Sequence, residues 1–296
     1  KCLTGILEGL PAGLAVDAAA IDAELGRRQL GYGRGGRMKI ERDRVRITAG
    51  VRHGLALGSP VAFTVENRDW ENWRLPMSDE PVPEGTDCRP VTHPRPGHAD
   101  LAGALKYGTR DIRNILERAS ARETAARVAA GAFCRLLLGR FGIRVGSHTL
   151  AVGPERVAGE WTAAPAAQVL ALDPESPLRC ADAEAERRMI ARIDAAAAAG
   201  DTLGGISGLA AAGAPAGLGS YTQWDRRLDG RIAQALMSIP AVKAVEIGCG
   251  VAGAGREGSG VHDAIFYDAA ARRFFRKTNR AGGVEGGIDG DGSIRD

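Results

Sequence analysis

LERASARETAARVAAGA (residues 116–132), running on into Phe133, Leu136, Leu137 and Leu138, is the stretch on which the fold turns. Its alanine-rich turns and the apolar residues that follow them predict helix over 111–140, strongest from Ala121 on, in a buried and central position. Arg118 and Arg122 lie four residues apart, on one helical face, with Ser120 near the helix start and Glu117 and Glu123 placed to orient the guanidiniums. Ion pairs on a solvated face are one account of this run. The other is a close approach by a flat ligand, which the small residues Ala119, Ser120, Ala121, Ala125 and Ala126 permit.

Upstream of this segment, residues 1–7 read like the interior of a strand or of a buried segment already under way. Ile21 and Leu25, four apart after a capping Asp17, predict an amphipathic helix over 17–28. Residues 38–40 and 45–47 alternate apolar and charged side chains about Arg42-Asp43, which predicts a solvent-faced hairpin. Val61, Phe63 and Val65 continue the alternation as a further strand, and 67–97, rich in Trp, Pro, Asp and Glu, is a long loop. Downstream, 143–152 reads as a strand, and 155–181 is rich in Ala and Pro and variable-looking. Residues 183–199 form a helix with Met189 and Ile193 facing inward. Strands over 204–212 and 242–247 then flank a helix over 229–237. Helices alternate with antiparallel-style strands, so the fold class is α+β rather than a doubly wound parallel sheet. There is no internal repeat and no heptad run.

The 296 residues are 44% hydrophobic and 25% charged, with a net charge of +3, which describes an ordinary globular chain. Five residues are Lys, so 34 of the 39 basic residues are Arg. Any anionic partner is therefore met by guanidinium chemistry, although a GC-rich genome also inflates Arg and Ala. The five cysteines are scattered, with no CxxC pair, and predict neither a disulfide framework nor a zinc site; a reducing cytoplasm is expected. No apolar run has the length of a membrane span, and no export signal stands at residue 1. With 5% aromatics and so small a charge, nucleic acid is not an expected partner.

Three clusters concentrate chemistry. Arg27, Arg28, Arg34 and Arg37 surround the glycines of LGYGRGGRM (30–38), where backbone N–H groups and guanidiniums could meet an anion; no P-loop pattern follows. VTHPRPGHAD (91–100) holds His93, Arg95, His98 and Asp100 on a loop stiffened by two prolines and a glycine. An imidazole so held, with a carboxylate near it, suits general acid or base work. A satisfied loop histidine is preferred for His93, and the spacing is not that of a metal site. The third cluster is the run 116–132 itself. Further on, TNRAGGVEGGI (278–288) places glycines on both sides of Glu285, suggesting close backbone approach to a ligand.

Taken in order, RRQLGYGRGGRM (27–38), RHGLALGSPVAF (52–63), RPGHADLAGALKY (95–107), ERASARETAARVAAGA (117–132), GDTLGG (200–205), SIPAVKAVEIGCG (238–250) and TNRAGGVEGG (278–287) resemble the chorismate synthase family through almost the whole chain. The resemblance implies a β-α-β sandwich with central helices between antiparallel sheets, as one domain over 1–296, in a homotetramer. It implies a lyase of the shikimate pathway that converts 5-enolpyruvylshikimate 3-phosphate to chorismate by 1,4-elimination of phosphate. Reduced FMN is required although the reaction is redox neutral, and NADPH is a possible reductant.

On the family pattern His98 is a catalytic histidine for proton transfer. Arg28 and Arg34 stand where contacts to anionic substrate or NADPH are assigned, and Arg37, Arg95 and Arg122 line the substrate anions. Arg118, Ala119, Ser120, Pro240, Ala241 and Gly286 match flavin-binding positions, Pro240 offering only its carbonyl. The family's Gly-Glu-Ser-His-Gly segment would lie before Lys1, and its later Lys-Pro-x-x-Thr and Arg-Ser-Asp segments lie outside these residues. From that we expect slow or no turnover by the chain alone. The alternative expectation is a shortened, non-catalytic relative that binds flavin or an anionic metabolite, or assembles with a full-length subunit.

Overall fold

The structure, a computed structural model, describes residues 1–33, 42–159 and 166–290. It falls into two compact units, residues 1–29 with 35–134, and residues 30–34 with 135–296.

The strands of the first unit are Cys2–Leu7 (β1), Val45–Ala49 (β2), Val51–Arg52 (β3), Leu55–Ala56 (β4) and Val61–Glu66 (β5). β5 is the centre of an antiparallel sheet in the order β1-β5-β2, and β3 with β4 forms a small hairpin between β2 and β5. The period-2 pattern of β5 turns Val61, Phe63 and Val65 into the core, each at most 1% exposed. Gly5 pairs with Phe63 across the sheet, and a Cβ there would run into the phenyl ring, so the glycine makes room for the largest buried side chain of the strand.

The helix Ala18–Gln29 (α1) buries Ile21 and Leu25, and Asp17 accepts the N–H of Ala19 at 2.9 Å, as the sequence spacing predicts. Asp22 of this helix accepts the N–H of Val45 at 2.7 Å and so fixes it to the start of β2. Met38 to Ile40, the expected first arm of the hairpin, lies outside the described residues.

The expected single helix over 111–140 is two. Asp100–Tyr107 (α2) is followed by Arg113–Arg118 (α3), a break at Ala119 and Ser120, one 3-10 turn at Ala121–Glu123, and then Thr124–Arg140 (α4). Ser120 has an extended backbone, with ψ 136, and its hydroxyl accepts the N–H of Arg122 at 3.3 Å. A serine hydroxyl that bonds the following backbone competes with helix continuation, and here it wins. Arg118 and Arg122 therefore do not share one helical face. The glutamates turn elsewhere too: Glu117 faces Arg113 at 3.8 Å, and Glu123 pairs with Arg127 at 2.7 Å. α4 buries Ala125, Ala129, Ala132 and Phe133, and Phe133 meets Phe63 with ring centroids 5.5 Å apart. Ala125 thus serves the core rather than a ligand face.

The second unit repeats the theme of helices on an antiparallel sheet. Arg144–Val152 (β6) lies between Glu155–Arg156 (β7) and, beyond Ala166–Leu170 (α5) and Ala183–Ala198 (α6), Gly205–Ala212 (β8). Asp182 caps α6 by accepting the N–H groups of Glu184 and Ala185, and Ala185 and Met189 pack with Cys180 against Val152, Val157 and Leu178. Met189 is buried as expected and Ile193 half-buried. Leu228–Met237 (α7) matches its predicted helix, but 242–247 is not a strand: no described segment pairs with it, and a strand without a ladder has no partner for its backbone.

Two hairpins complete the unit, Ile265–Asp268 (β9) with Arg273–Arg276 (β10), and Val284–Glu285 (β11) with Ile288–Asp289 (β12). Both units mix helices with antiparallel strands, so the fold is α+β. All five cysteines are free thiols. Among the described residues no helix is long and apolar enough to cross a membrane.

Candidate active site

The loop 91–100 is pinned at both ends. At its start, the Val91 N–H goes to Asp111 at 3.0 Å and its carbonyl accepts from Ile112 at 2.9 Å; at its end, Asp100 opens α2. Asp100 is fully buried. It accepts the backbone N–H of Arg95 at 3.1 Å, the Arg95 Nε at 3.0 Å, and Nδ1 of His98. The Arg95 bond, with help from the Arg95 N–H and from His98, outweighs burial and holds the Asp100 carboxyl down at about 2. A carboxyl with that pKa is an anion at neutral pH and accepts only.

His98 and Arg95 are thereby presented from one rigid loop, the histidine side chain 22% exposed and the arginine 52%. His93 is exposed, with Thr92 Oγ1 3.3 Å from its Nδ1, and takes no part in this arrangement. Among the described residues no group of three or more His, Cys, Asp or Glu gathers as metal ligands.

A second buried carboxylate organises the other arginines of the first unit. Arg122 sets its two terminal nitrogens on the two oxygens of Asp43, at 2.6 and 2.7 Å, and reaches the Glu66 carbonyl at 3.1 Å. Arg28 approaches the same carboxylate at 3.5 Å and bonds Thr124 Oγ1 through Nε and Nη2. Asp43, expected in a solvent-faced turn, is buried because the two guanidiniums come to it from α1 and from the 3-10 turn ahead of α4. Sequence reasoning missed it: a lone Asp between arginines reads as a turn, and only the long-range partners reveal the pair.

Arg118, at the end of α3, is exposed and makes no ion pair with the described residues. Arg34 and Arg37 lie outside the described residues.

In the second unit, Pro240 and Ala241 follow α7 in an exposed turn, with Ala241 in the left-handed region at φ 69. Gly286 and Gly287 form the two-residue turn of the β11–β12 hairpin, with φ values of 62 and 88. Two positive φ angles in such a loop are the type I′ geometry, and this accounts for the glycines without a ligand. Glu285 between them and β10 pairs with Arg276 at 2.5 Å.

Asp263 was not singled out from the sequence. It is buried and accepts Thr278 Oγ1 at 2.5 Å and the N–H groups of Arg280 and Ala281 at 2.9 Å, fastening the TNRAGG loop. Burial alone raises its pKa; the bonds from Ala281, Thr278 and Arg280 overcome that and hold it below the usual carboxylate range.

An α+β scaffold presents a carboxylate-bound histidine and a part-exposed arginine from one stiff loop, groups of the kind an enzyme acting on a small molecule uses. A family model described as chorismate synthase matches residues 1–295, and the chain belongs to the chorismate synthase family. Its activity is that of a carbon–oxygen lyase of aromatic amino acid biosynthesis.

Curated relatives agree. The chorismate synthase of Symbiobacterium thermophilum is 56% identical over 97% of this chain and 74% of its own, and that of Moorella thermoacetica 57% over 97% and 73%. A solved structure described as a crystal structure of chorismate synthase superimposes with a TM-score of 0.81 at 43% identity, covering 98% of this chain and 78% of that one. The non-catalytic alternative is not favoured, since identity to these enzymes holds over nearly the whole chain.

Proposed function

We propose that the chain carries out the family's 1,4-elimination of phosphate from 5-enolpyruvylshikimate 3-phosphate with reduced FMN, His98 moving the proton and Arg95 meeting substrate anion. The observation that carries this reading is the presentation of His98 and Arg95, both part-exposed, from one loop locked at Asp111 and Asp100. The substrate bears a phosphate and two carboxylates, and a fixed guanidinium offers them charge-assisted hydrogen bonds without reorganising. As phosphate leaves with the electron pair of its C–O bond, a ring proton must also be lost, and an imidazole suits that exchange near neutral pH.

Arg28, Arg34, Arg37 and Arg122 belong to the same proposal on the strength of the resemblance. Arg28 and Arg122 would act from clusters already tied to Asp43, supporting the pocket as well as meeting charge.

For the flavin, Arg118, Ala119 and Ser120 fit: the exposed guanidinium has no ion-pair partner among the described residues, and the small residues at the helix break follow it directly. Pro240 and Ala241, in an exposed turn, and Gly286 complete the flavin positions of the family. When bound, reduced FMN would supply the redox-active group that this overall redox-neutral elimination requires. NADPH as reductant, a single domain over 1–296 and a cytoplasmic location follow from the resemblance. A homotetramer is supported by the apolar residues that α2 leaves in solvent, Leu101, Leu105 and Tyr107, at 57%, 76% and 71% exposure.

The test is anaerobic turnover with reduced FMN supplied. His98→Ala should lower kcat while leaving substrate affinity largely intact, and an unchanged kcat would remove His98 from the mechanism.

A further inference from the structure

Asp100 is the one residue of the 91–100 loop that touches both side chains assigned to the chemistry. Its oxygens divide the work: Oδ2 takes the backbone N–H and Nε of Arg95, at 3.1 and 3.0 Å, while Oδ1 takes Nδ1 of His98. The side chain is wholly buried, so water does not compete for these bonds. An ionised carboxylate accepts and never donates, and the proton in the Asp100–His98 bond therefore belongs to Nδ1. Nε2, the other ring nitrogen, has no hydrogen-bond partner among the described residues, and the imidazole is part-exposed.

We infer that Asp100 is a positioning residue for the elimination, holding His98 as the Nδ1–H tautomer so that Nε2 is the atom that exchanges the proton, and fixing Arg95 from the same carboxylate. The inference rests on the role proposed for His98. The proton balance is simple. A proton taken at Nε2 makes an imidazolium whose Nδ1–H already faces a full negative charge; release from Nε2 restores the neutral ring. Asp100 stays ionised throughout, and its contribution is to select the tautomer and stabilise the transient cation.

A carboxylate that only fastened the loop would bind Arg95 and start α2 just as well, and would have no consequence for which nitrogen of His98 carries the proton. The two roles separate by experiment. Two-bond 1H–15N correlation spectra of the 15N-labelled chain, recorded at alkaline pH, report the tautomer directly, with His98→Gln identifying the signal. The expected result for the unaltered chain is Nδ1–H. Asp100→Asn, whose amide keeps an acceptor for Arg95 but can donate to Nδ1, should turn His98 over to the Nε2–H tautomer. In turnover it should lower kcat by about 100-fold or more with KM changed far less.

An Nε2–H tautomer in the unaltered chain overturns the inference without reference to any variant or to activity. So does a tautomer that Asp100→Asn leaves in place while the variant retains its urea midpoint. Unchanged turnover in His98→Ala, with the Nδ1–H tautomer confirmed, would remove the catalytic reading of His98 and leave the clamp standing.

Discussion

Arg122 lies on Asp43 as a two-point fork, Nη1 to Oδ2 at 2.6 Å and Nη2 to Oδ1 at 2.7 Å, across 79 residues of chain. The carboxylate side chain is fully buried and the guanidinium 18% exposed, so the pair is largely withdrawn from water. A pair of this kind is weak evidence for net stability, because desolvation offsets much of the attraction. Removing one member is another matter, since Asp43 would keep only the more distant Arg28 at 3.5 Å, and Arg122 would lose its two-point carboxylate partner.

Asp43→Asn and Arg122→Met should each therefore cost about 3–5 kcal/mol in urea denaturation, and the double variant should cost clearly less than the sum. Additive losses would show that the fork is not a coupled unit. The resemblance also assigns Arg122 to substrate anions, so Arg122→Met should weaken substrate binding at urea concentrations where it stays folded. Unchanged affinity would confine Arg122 to structure.

The glycine pair at the β11–β12 turn separates a backbone requirement from a ligand requirement. A Cβ at Gly287 would stand 2.7 Å from Arg227 Cγ and 2.9 Å from the Ser220 carbonyl, at φ 88; at Gly286, φ 62, it meets nothing within 4 Å. Gly287→Ala should lose about 2–4 kcal/mol from left-handed strain plus overlap. Gly286→Asn, which tolerates that conformation, should lose only a few tenths. If Gly286 serves the flavin through its backbone, Gly286→Asn should also keep FMN affinity in a fluorescence titration. A large affinity loss with the fold intact would mean that open space at Gly286 is what the cofactor uses.

How far the sequence could be read depended on the range of the interaction. The alternation of Val61, Phe63 and Val65, the Ile21 and Leu25 pair and the Asp17 cap are local patterns, and each stands in the structure as its spacing predicts. The helix break at Ser120 is local too, but alanine propensity on both sides hid it; Ser120 with Glu123 three residues on was the available signal. Residues 242–247 carry strand-like residues without a partner strand, and pairing cannot be read from one segment. The site splits in the same way. Asp100 stands two residues from His98 and was visible, whereas Asp43 and Asp263 depend on partners far along the chain or on backbone donors that composition does not show.

His148 makes the stability of the second unit depend on pH. It sits on β6 opposite Gly208, buried, with Nδ1 lacking a hydrogen-bond partner among the described residues, and burial pushes its pKa below the usual value. The unfolded chain then takes up a proton near pH 6.5 while the folded chain resists it, so stability is full above about pH 6.5 and falls as the pH drops below it. His148→Leu, which leaves no polar atom to satisfy, should be neutral or stabilising at pH 7.5 or so and should remove this part of the acid loss. The difference in urea midpoint between the two chains, followed downward in pH, isolates the residue from the other histidines. A constant difference would mean that His148 reaches solvent in the folded state.

Asp263 has the opposite sign and a different window. Its pKa is depressed in the folded chain, so the stability it contributes is present above the ordinary carboxylate range, near pH 4, and is lost as the pH falls through the lower folded value. Three donors converge on its two oxygens, Thr278 Oγ1 and Arg280 N on Oδ1, Ala281 N on Oδ2. Asp263→Asn keeps the shape but supplies one acceptor oxygen in place of two, and it replaces charge-assisted bonds by neutral ones. The expected cost at neutral pH is about 1.5–3 kcal/mol, with faster amide exchange at Arg280 and Ala281. Because Asn does not titrate, the gap between the two chains should close as the medium is acidified toward the folded pKa of Asp263. A gap that stays constant with pH would show that the loop is held by its backbone geometry alone, and that the carboxylate charge contributes nothing to it.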